Sequence, residues 1–500
     1  MWVLVFTAVI IYLIYRGFSK PANFPPGLPR VPFLGSMPFL DLNKQPLFYR
    51  ALQESGEKWG CSNGIMGYYV GNIPAVAVWN PKLVREALQR DEFQGRPDAY
   101  IFKMRSFGKL LGVFFADGPA WVEQRRFTIR QLRDLGLLGL QKVQHHVQAE
   151  ITALLQSIRS LPEGTVKGSR LIEANGVFTI HIVNVLWALM SGKHCSIDDT
   201  DLRNLFNFLT RTFRGGQRSS ALLNALPWVR FILPNYSQYN EINETWTSLQ
   251  QFIKKTLDEH KANFNKENIN DFIDAYLLEM ETKDSSHESS YFCEEQLITI
   301  CMDLFAAGSE SVGNTLSFAL LYLGLYPDVQ ARLWEEMKRE LGVGCCPCLE
   351  DRPRLPYLEA VLQEVMRINT IAPTAVPHRV TQDTTFAGFN IPKNTWLDLS
   401  LWSISHDPAK WENPDDFRPE RFIDENGKLI RDDISLNFGF GKRVCVGMSF
   451  AKNCLFLFFG AMLANFEFRF VPGEPLPSTT SLPGFTTSPQ PFNILAIERK

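Results

Sequence analysis

The sequence predicts a mainly α-helical protein with small β-sheets, an α+β fold carried behind a single N-terminal membrane-anchor helix. Three observations lead there. Apolar residues recur at helical spacing through long stretches of the middle of the chain. Alternation with a period of two is confined to short segments, and an uncharged apolar run occupies the N-terminus.

The anchor comes first. Met1 to Tyr15 is apolar apart from Thr7, and Arg16, Lys20 and Arg30 follow with no charged side chain before them. As a helix this run spans only ~22 Å, short of a hydrocarbon core of ~30 Å. Gly17, Phe18 and a snorkelling Arg16 complete the crossing. A cleaved signal peptide would carry its charge before the apolar run and end at a small-residue site, and this segment does neither. Residues 1–20 are therefore read as an uncleaved anchor, with the basic side and the rest of the chain in the cytosol. Phe24-Pro-Pro-Gly-Leu-Pro29 forbids helix and makes residues 21–36 a stiff, extended hinge.

Residues 37–500 are read as a single catalytic domain. Length alone suggests about three domains, but no Gly/Ser linker, charge run or repeat interrupts the sequence after the hinge. The 45% hydrophobic content and 38 phenylalanines suffice for a large core and an apolar cavity. Lys and Arg number 51 against 53 for Asp and Glu, a net charge of -2 that argues against nucleic acid as a partner. The nine cysteines are scattered except for Cys345, Cys346 and Cys348, which suits a reduced, cytosol-facing chain. That cluster reads as a surface loop, with a partial metal site as the alternative.

Helices are expected over Ala120 to Leu135, Leu140 to Ser160, Trp246 to Ala262, Asp271 to Glu281, Glu294 to Leu323 and Pro327 to Glu340. Strands are expected where Phe466, Phe468 and Phe470 alternate and over the tail from Phe492 to Ile497.

Four constellations carry chemistry. Phe438, Gly441, Arg443, Cys445 and Gly447 lie in a glycine-rich, basic loop just before an apolar helical run. A cysteine at a helix start is favoured as a thiolate, a metal ligand, by unpaired N–H groups; a buried free cysteine is the other reading. Trp121 and Arg125 share a helix face, which equally describes a packed Trp beside a surface Arg. In Leu304-Phe-Ala-Ala-Gly-Ser-Glu-Ser311 a glycine and polar groups break a strongly apolar helix, a breach of local rules that marks functional sites. Glu364 and Arg367 stand at i, i+3; in isolation such a pair is a surface salt bridge worth ~0.5 kcal/mol.

The spacing F-x-x-G-x-R-x-C-x-G at 438–447 resembles the haem-binding loop of the cytochrome P-450 family. The hinge, W-x-x-x-R at Trp121, the 304–311 helix, E-x-x-R at Glu364 and Phe417-Arg-Pro-Glu-Arg-Phe422 resemble that family's other motifs, in order. The resemblance implies a cytochrome P-450 fold and a haem b whose iron is ligated by the Cys445 thiolate, the ligation that favours O–O cleavage. It implies that Trp121, Arg125, His378 and Arg443 hold the haem carboxylates and that Phe438 and Gly447 shape the loop. Glu310 and Ser311 would relay protons; the family's usual threonine is Ser311 here, which keeps the hydroxyl but lacks the methyl that holds its rotamer and puts efficient coupling in question. Glu364, Arg367 and Arg421 would form a structural triad supporting the loop.

The implied reaction is a monooxygenation: one atom of O2 enters a lipophilic substrate and the other becomes water. Electrons would come from NADPH through a separate NADPH-cytochrome P-450 reductase, with cytochrome b5 as a second donor, at the endoplasmic reticulum membrane. Arg126, Arg130, Arg133, Lys442 and Lys452 offer a docking patch or an ordinary solvated face. Phe114, Phe115, Ala307, Ile371, Thr374, Val376, Phe485 and Thr486 match regions that line the family's substrate pocket, and they suit a greasy, largely uncharged molecule. The segments around these residues are most similar to an insect branch of the microsomal enzymes that includes epoxidases of farnesoate-type juvenile hormone precursors. Three alternatives remain at this point: a hydroxylase of a steroid, fatty acid or xenobiotic; a reductase-independent haem-thiolate isomerase or dehydratase; and a non-catalytic haem or lipid-binding protein.

Overall fold

Proline and asparagine set helix starts along the chain, because a proline at the first helical position gives up an N–H that has no partner there. The computed structural model describes residues 19–134, 140–195, 205–206, 209–214, 222–286, 290–430 and 437–499. Of the anchor expected over residues 1–20, residues 1–18 lie outside the described residues.

Helix α1 (Phe48–Lys58) leads into strands β1 (Ile65–Val70) and β2 (Ile73–Val78). Helix α2 (Pro81–Gln89) begins at a proline and is capped by Asn80, whose side chain accepts the Lys82 and Leu83 N–H groups at 3.0 and 3.3 Å. The short α3 (Tyr100–Met104) precedes α4 (Gly118–Asp134), which starts two residues earlier than expected. Then come α5 (Leu140–Ser160), β3 (Ser169–Glu173) and α6 (Thr179–Ser191), the last closed by Gly192 at φ 65°. Helices α7 (Tyr239–Ala262) and α8 (Phe272–Ser286) follow. The 32-residue α9 (Glu294–Leu325) runs straight into α10 (Pro327–Leu341) and, after a turn, α11 (Pro356–Asn369).

Four short strands, β4 (His378–Arg379), β5 (Thr384–Phe386), β6 (Phe389–Ile391) and β7 (Trp396–Leu399), then bring the chain to α12 (Leu401–Ser405). After the cysteine loop come α13 (Met448–Asn465), β8 (Phe466–Arg469) and β9 (Asn493–Glu498). The expected alternation thus forms a strand that stops before Phe470.

The strands make three small sheets, ordered β1-β2-β7-β4, β3-β9-β8 and β5-β6. Only β2 and β7 pair in parallel among them, with Ala75 opposite Trp396 and Val78 opposite Leu399. Helices dominate and the sheets are small, as expected of a mainly α fold.

Helix α13 is apolar all round and buried, so although it is long and apolar enough to cross a membrane it serves as a core helix. It packs with α5, α9 and α11. Helix α9 is likewise buried over most of its length and touches α6, α7, α11 and α13. The main core gathers around these helices, and a second cluster, including Val76, Leu88, Phe93 and Leu397, fills the space beside the four-stranded sheet. The cysteine loop hangs between the two.

Candidate functional site

The loop is shaped by its glycines and by one hydrogen bond across it. Gly439 and Gly441 take φ of 77° and 67°, and a Cβ on Gly441 would lie 2.4 Å from the Leu88 carbonyl oxygen. The Cys445 N–H donates to the Phe438 carbonyl at 2.8 Å, closing the turn below the sulfur. Gly447 differs: its φ of -89° is ordinary, and a Cβ there would meet no protein atom within 4 Å. Neither backbone conformation nor packing within the protein demands glycine at 447.

Cys445, Gly447, Phe438, Arg125, Arg443 and His378 all line a cavity of about 480 Å³ that extends to Ser311 on α9. The cysteine is exposed towards this cavity. Its thiol is nonetheless held above the usual thiol range, by burial first, against the opposing pull of the Gly447 N–H and the Arg125 charge. The N–H at the helix start favours the thiolate, as expected, but does not by itself offset the burial. A cation bound directly to the sulfur has to supply the rest.

The cavity collects cations with few partners of opposite charge. Arg443 donates from Nε and Nη2 to the Gln94 carbonyl at 3.0 and 2.7 Å and from Nη1 to Ala116 at 2.9 Å. Arg96 donates from Nε to the Phe114 carbonyl at 2.9 Å and from Nη1 to Val376 and Pro377 at 2.8 and 3.0 Å. Arg125 donates to the Val444 carbonyl. Burial and mutual repulsion push Arg443 down to about 8 and Arg96 to about 9, against the pull of the Asp117 carboxylate. Asp117 is already engaged by the Arg96 N–H at 2.8 Å and by Arg379 at 2.6 Å. His378 is pushed well below the usual histidine range by burial and by Arg96, so it sits neutral, with Nδ1 2.7 Å from the Phe93 carbonyl oxygen. Buried cations in such surplus fit a bound group with two carboxylates.

Trp121 lies under this cluster, with Arg443 3.6 Å and Arg125 5.7 Å from its ring. Its indole N–H donates to the Val113 carbonyl at 3.2 Å. Arg96 was not singled out by spacing, since its partners at Val376 and Pro377 are some 280 residues away.

The Glu364, Arg367 and Arg421 side chains meet in the interior. Arg367 grips Glu364 in a two-pronged contact at 2.7 and 2.8 Å, both side chains essentially inaccessible, and Arg421 Nε adds a third donor at 3.3 Å. Arg367 also donates to the Ser405 and Pro414 carbonyls at 3.0 and 2.8 Å. Ser405 in turn donates to Asn437 at 2.7 Å, and Asn437 to the Met366 carbonyl at 2.7 Å. Asn437 immediately precedes Phe438, so the buried ion cluster is tied by two links to the cysteine loop.

Across the cavity, Ser311 faces inward and donates to the Ala307 carbonyl at 2.8 Å. Glu310 is turned away and buried. Its Oε2 accepts from Thr486 at 3.1 Å and from Asn314 at 3.4 Å, and Thr486 itself lines the cavity. Thr486, expected only as a pocket residue, is thus the bridge between cavity and acid. Arg214 supplies a neighbouring charge to Glu310 and donates to Ser488. Gly308 packs against α6, where a Cβ would come within 2.1 Å of the end of Leu186.

All eight expected pocket residues, Phe114, Phe115, Ala307, Ile371, Thr374, Val376, Phe485 and Thr486, line this same cavity. Elsewhere, Arg126, Arg130, Arg133 and Lys442 are exposed, although Arg130 pairs with Glu279 at 3.3 Å and Lys442 with Asp91 at 2.7 Å. Lys452 is half-buried with its ammonium over Phe438. None of the nine cysteines forms a disulfide; Cys345 and Cys346 are exposed in a loop, and Cys348 donates to Asp351 at 3.0 Å.

Comparison with known proteins agrees with this geometry. The family model for Cytochrome P450 matches residues 25–496. The chain is 34% identical to Farnesoate epoxidase of Bombyx mori over 495 residues, covering 98% of this chain and 97% of that protein. It is 32% identical to Cytochrome P450 2L1 of Panulirus argus, covering 97% of each chain. With Cytochrome P450 2U1 of Homo sapiens it shares 34% identity over 87% of this chain and 79% of that one.

Proposed function

The chain belongs to the cytochrome P450 family, and on that premise we propose that it is a membrane-anchored, NADPH-dependent haem-thiolate monooxygenase that epoxidises a farnesoate-type isoprenoid. The observation that carries the reading is the cavity itself: a cysteine sulfur opens onto one wall, a surplus of buried arginines surrounds it, and apolar side chains line the rest. When bound, the haem supplies activation of O2 at its iron.

The protein's own residues have distinct tasks around it. Cys445 provides the ligand. Arg96, Arg125 and Arg443 neutralise the two carboxylates, which relieves the mutual repulsion that lowers Arg96 and Arg443. Phe438 and Gly447 leave room for a flat ring against the loop. The Thr486 hydroxyl donates to the buried Glu310 and so links that acid to the cavity, and the Ser311 hydroxyl, held on the Ala307 carbonyl, presents its oxygen lone pairs there. Phe114, Phe115 and Phe485 keep water from the substrate. Glu364, Arg367 and Arg421 hold the loop in register through Ser405 and Asn437.

Electrons arrive from a separate flavoprotein reductase on the face bearing Arg126, Arg133 and Lys442. A membrane surface is supported by an exposed apolar patch, Trp228, Phe231, Ile232, Leu233 and Tyr236, near the exposed Phe33 of the hinge. Gly71 joins the two, since a Cβ there would lie 3.1 Å from Ala225 and 3.3 Å from the Phe33 carbonyl oxygen. The patch, together with the expected anchor, supports the proposed placement at the endoplasmic reticulum membrane. The similarity to Farnesoate epoxidase of Bombyx mori supports the substrate class.

The test is turnover of methyl farnesoate by purified protein with reductase, O2 and NADPH. An epoxide formed only when all three are present supports the reading. Turnover of a peroxide without NADPH would replace it with the isomerase alternative.

A further inference from the structure

Arg105 is a buried cation of the cavity that the reading above leaves without a task. It follows α3, is 3% exposed, and lines the cavity. Its Nη2 donates to Asp303 Oδ1 on α9 at 2.5 Å. Asp303 is fully used: its Oδ2 accepts the Val113 and Phe114 N–H groups at 2.7 and 3.0 Å. Arg105 is not. Its Nε and Nη1 are buried and have no hydrogen-bond partner among the described residues. Both lie beneath aromatic rings, with the guanidinium 5.2 Å from the Phe115 centroid and 5.1 Å from that of Trp246. Buried unmet donors on a charged group are costly, and a ligand oxygen is the simplest thing to satisfy them.

We propose that Arg105 is the anchor for the acyl oxygen of the substrate, and that the Arg105 and Asp303 pair selects an uncharged ester carbonyl over a free carboxylate. This rests on the monooxygenase reading of the Cys445 cavity and deepens its substrate class. Asp303 already neutralises the guanidinium, so a carbonyl gains hydrogen bonds without adding charge. A carboxylate would set a second negative charge beside Asp303 away from water, where like charges repel strongly. Accepting the oxygen takes a turn of the Phe115 or Trp246 ring about its side-chain bonds.

Position supports the assignment. Asp303, Ala307 and Ser311 recur every fourth residue of α9 and all line the cavity. Eight residues of helix advance ~12 Å. An extended chain covers ~3.5 Å in three bonds, so a molecule held at Arg105 presents to the Ser311 end a carbon some ten bonds from its acyl oxygen. A long, thin, unbranched-path substrate meets that demand.

The experiment is equilibrium calorimetry of haem-loaded full-length protein with three probes on one skeleton: methyl farnesoate, farnesoic acid and the hydrocarbon lacking the acyl group. Wild type is expected to bind the ester about tenfold more tightly than the hydrocarbon, the gain of one good hydrogen bond to a charged donor, and more tightly than the acid. The paired variant Arg105→Met/Asp303→Asn avoids stranding the carboxylate and is expected to bind ester and hydrocarbon alike. Arg105→Lys, which keeps the charge with fewer donors, is expected to fall between and guards against misfolding of the pair variant. A wild type that binds all three equally or prefers the acid overturns the assignment, as does a pair variant that keeps the ester preference. If no farnesyl probe binds, the same three probes on a fatty-acid skeleton separate the two readings. An Arg105-dependent ester preference there keeps the anchor and removes the farnesoate; no such preference removes the anchor.

Discussion

Cys445 shows how far local sequence reaches at the scale of one residue. Its spacing from Phe438, Gly441, Arg443 and Gly447 is readable because a turn of ten residues encodes its own geometry. Its charge is not, because burial is a property of everything packed around the loop. The same holds for Arg96, whose partners lie across the chain, and for Thr486, whose contact with Glu310 spans 176 residues. Asp398 on β7 gives a direct test of buried charge. It is half-buried, accepts from the Tyr68 hydroxyl, and is pushed up to about 6 by desolvation, against the pull of that hydrogen bond. An acid with a raised folded pKa stabilises the fold fully below its unfolded value of ~3.9 and loses that contribution as pH rises through about 6, a swing of ~3 kcal/mol. Asp398→Asn should therefore flatten the urea stability measured between about pH 4 and pH 6.5. Ser311 yields a second prediction: Ser311→Ala removes the hydroxyl held on Ala307 and should raise peroxide released per NADPH severalfold. Ser311→Thr, which adds the methyl that fixes the rotamer, should lower release below wild type. Equal release from all three would remove Ser311 from proton delivery.

Helices were largely legible as elements, because proline starts and apolar periodicity act locally; α5, α9 and α10 match expectation closely. Their partners were not. The parallel pairing of β2 with β7 joins segments some 320 residues apart, and α13 looks like a membrane span by composition while lying in the core. Glu364 and Arg367 illustrate the difference: the i, i+3 spacing suggests a weak surface pair, yet α11 carries them into the interior, where Arg421 and five backbone carbonyls complete the cluster. Glu364→Gln leaves two guanidiniums buried without their counter-charge and should cost ~3–5 kcal/mol in denaturant unfolding. Because the cluster reaches Asn437, haem retention should fall in step. A variant as stable as wild type would show that the cluster does not support the loop.

Over the whole molecule, the proposed function assigns the apolar patch and the basic face to different partners. The patch at 228–236 lies near the hinge, while Lys442 lies in the cysteine loop and Arg126 and Arg133 are exposed on α4, the helix whose Arg125 contacts that loop. Neutralising Arg126, Arg133 and Lys442 should lower the reductase-supported rate and flatten its dependence on salt, since exposed charges are screened within ~8 Å at physiological ionic strength. An unchanged rate and salt profile would mark an ordinary solvated face. All of this depends on the sulfur of Cys445 meeting an iron. The most direct measurement is the absorption difference spectrum of the reduced protein with and without carbon monoxide, in wild type and Cys445→His. A strongly red-shifted Soret band in wild type that is lost in the variant is the expected result. Folded wild-type protein that binds no haem, or binds it with an imidazole-type spectrum, would contradict the account at its centre.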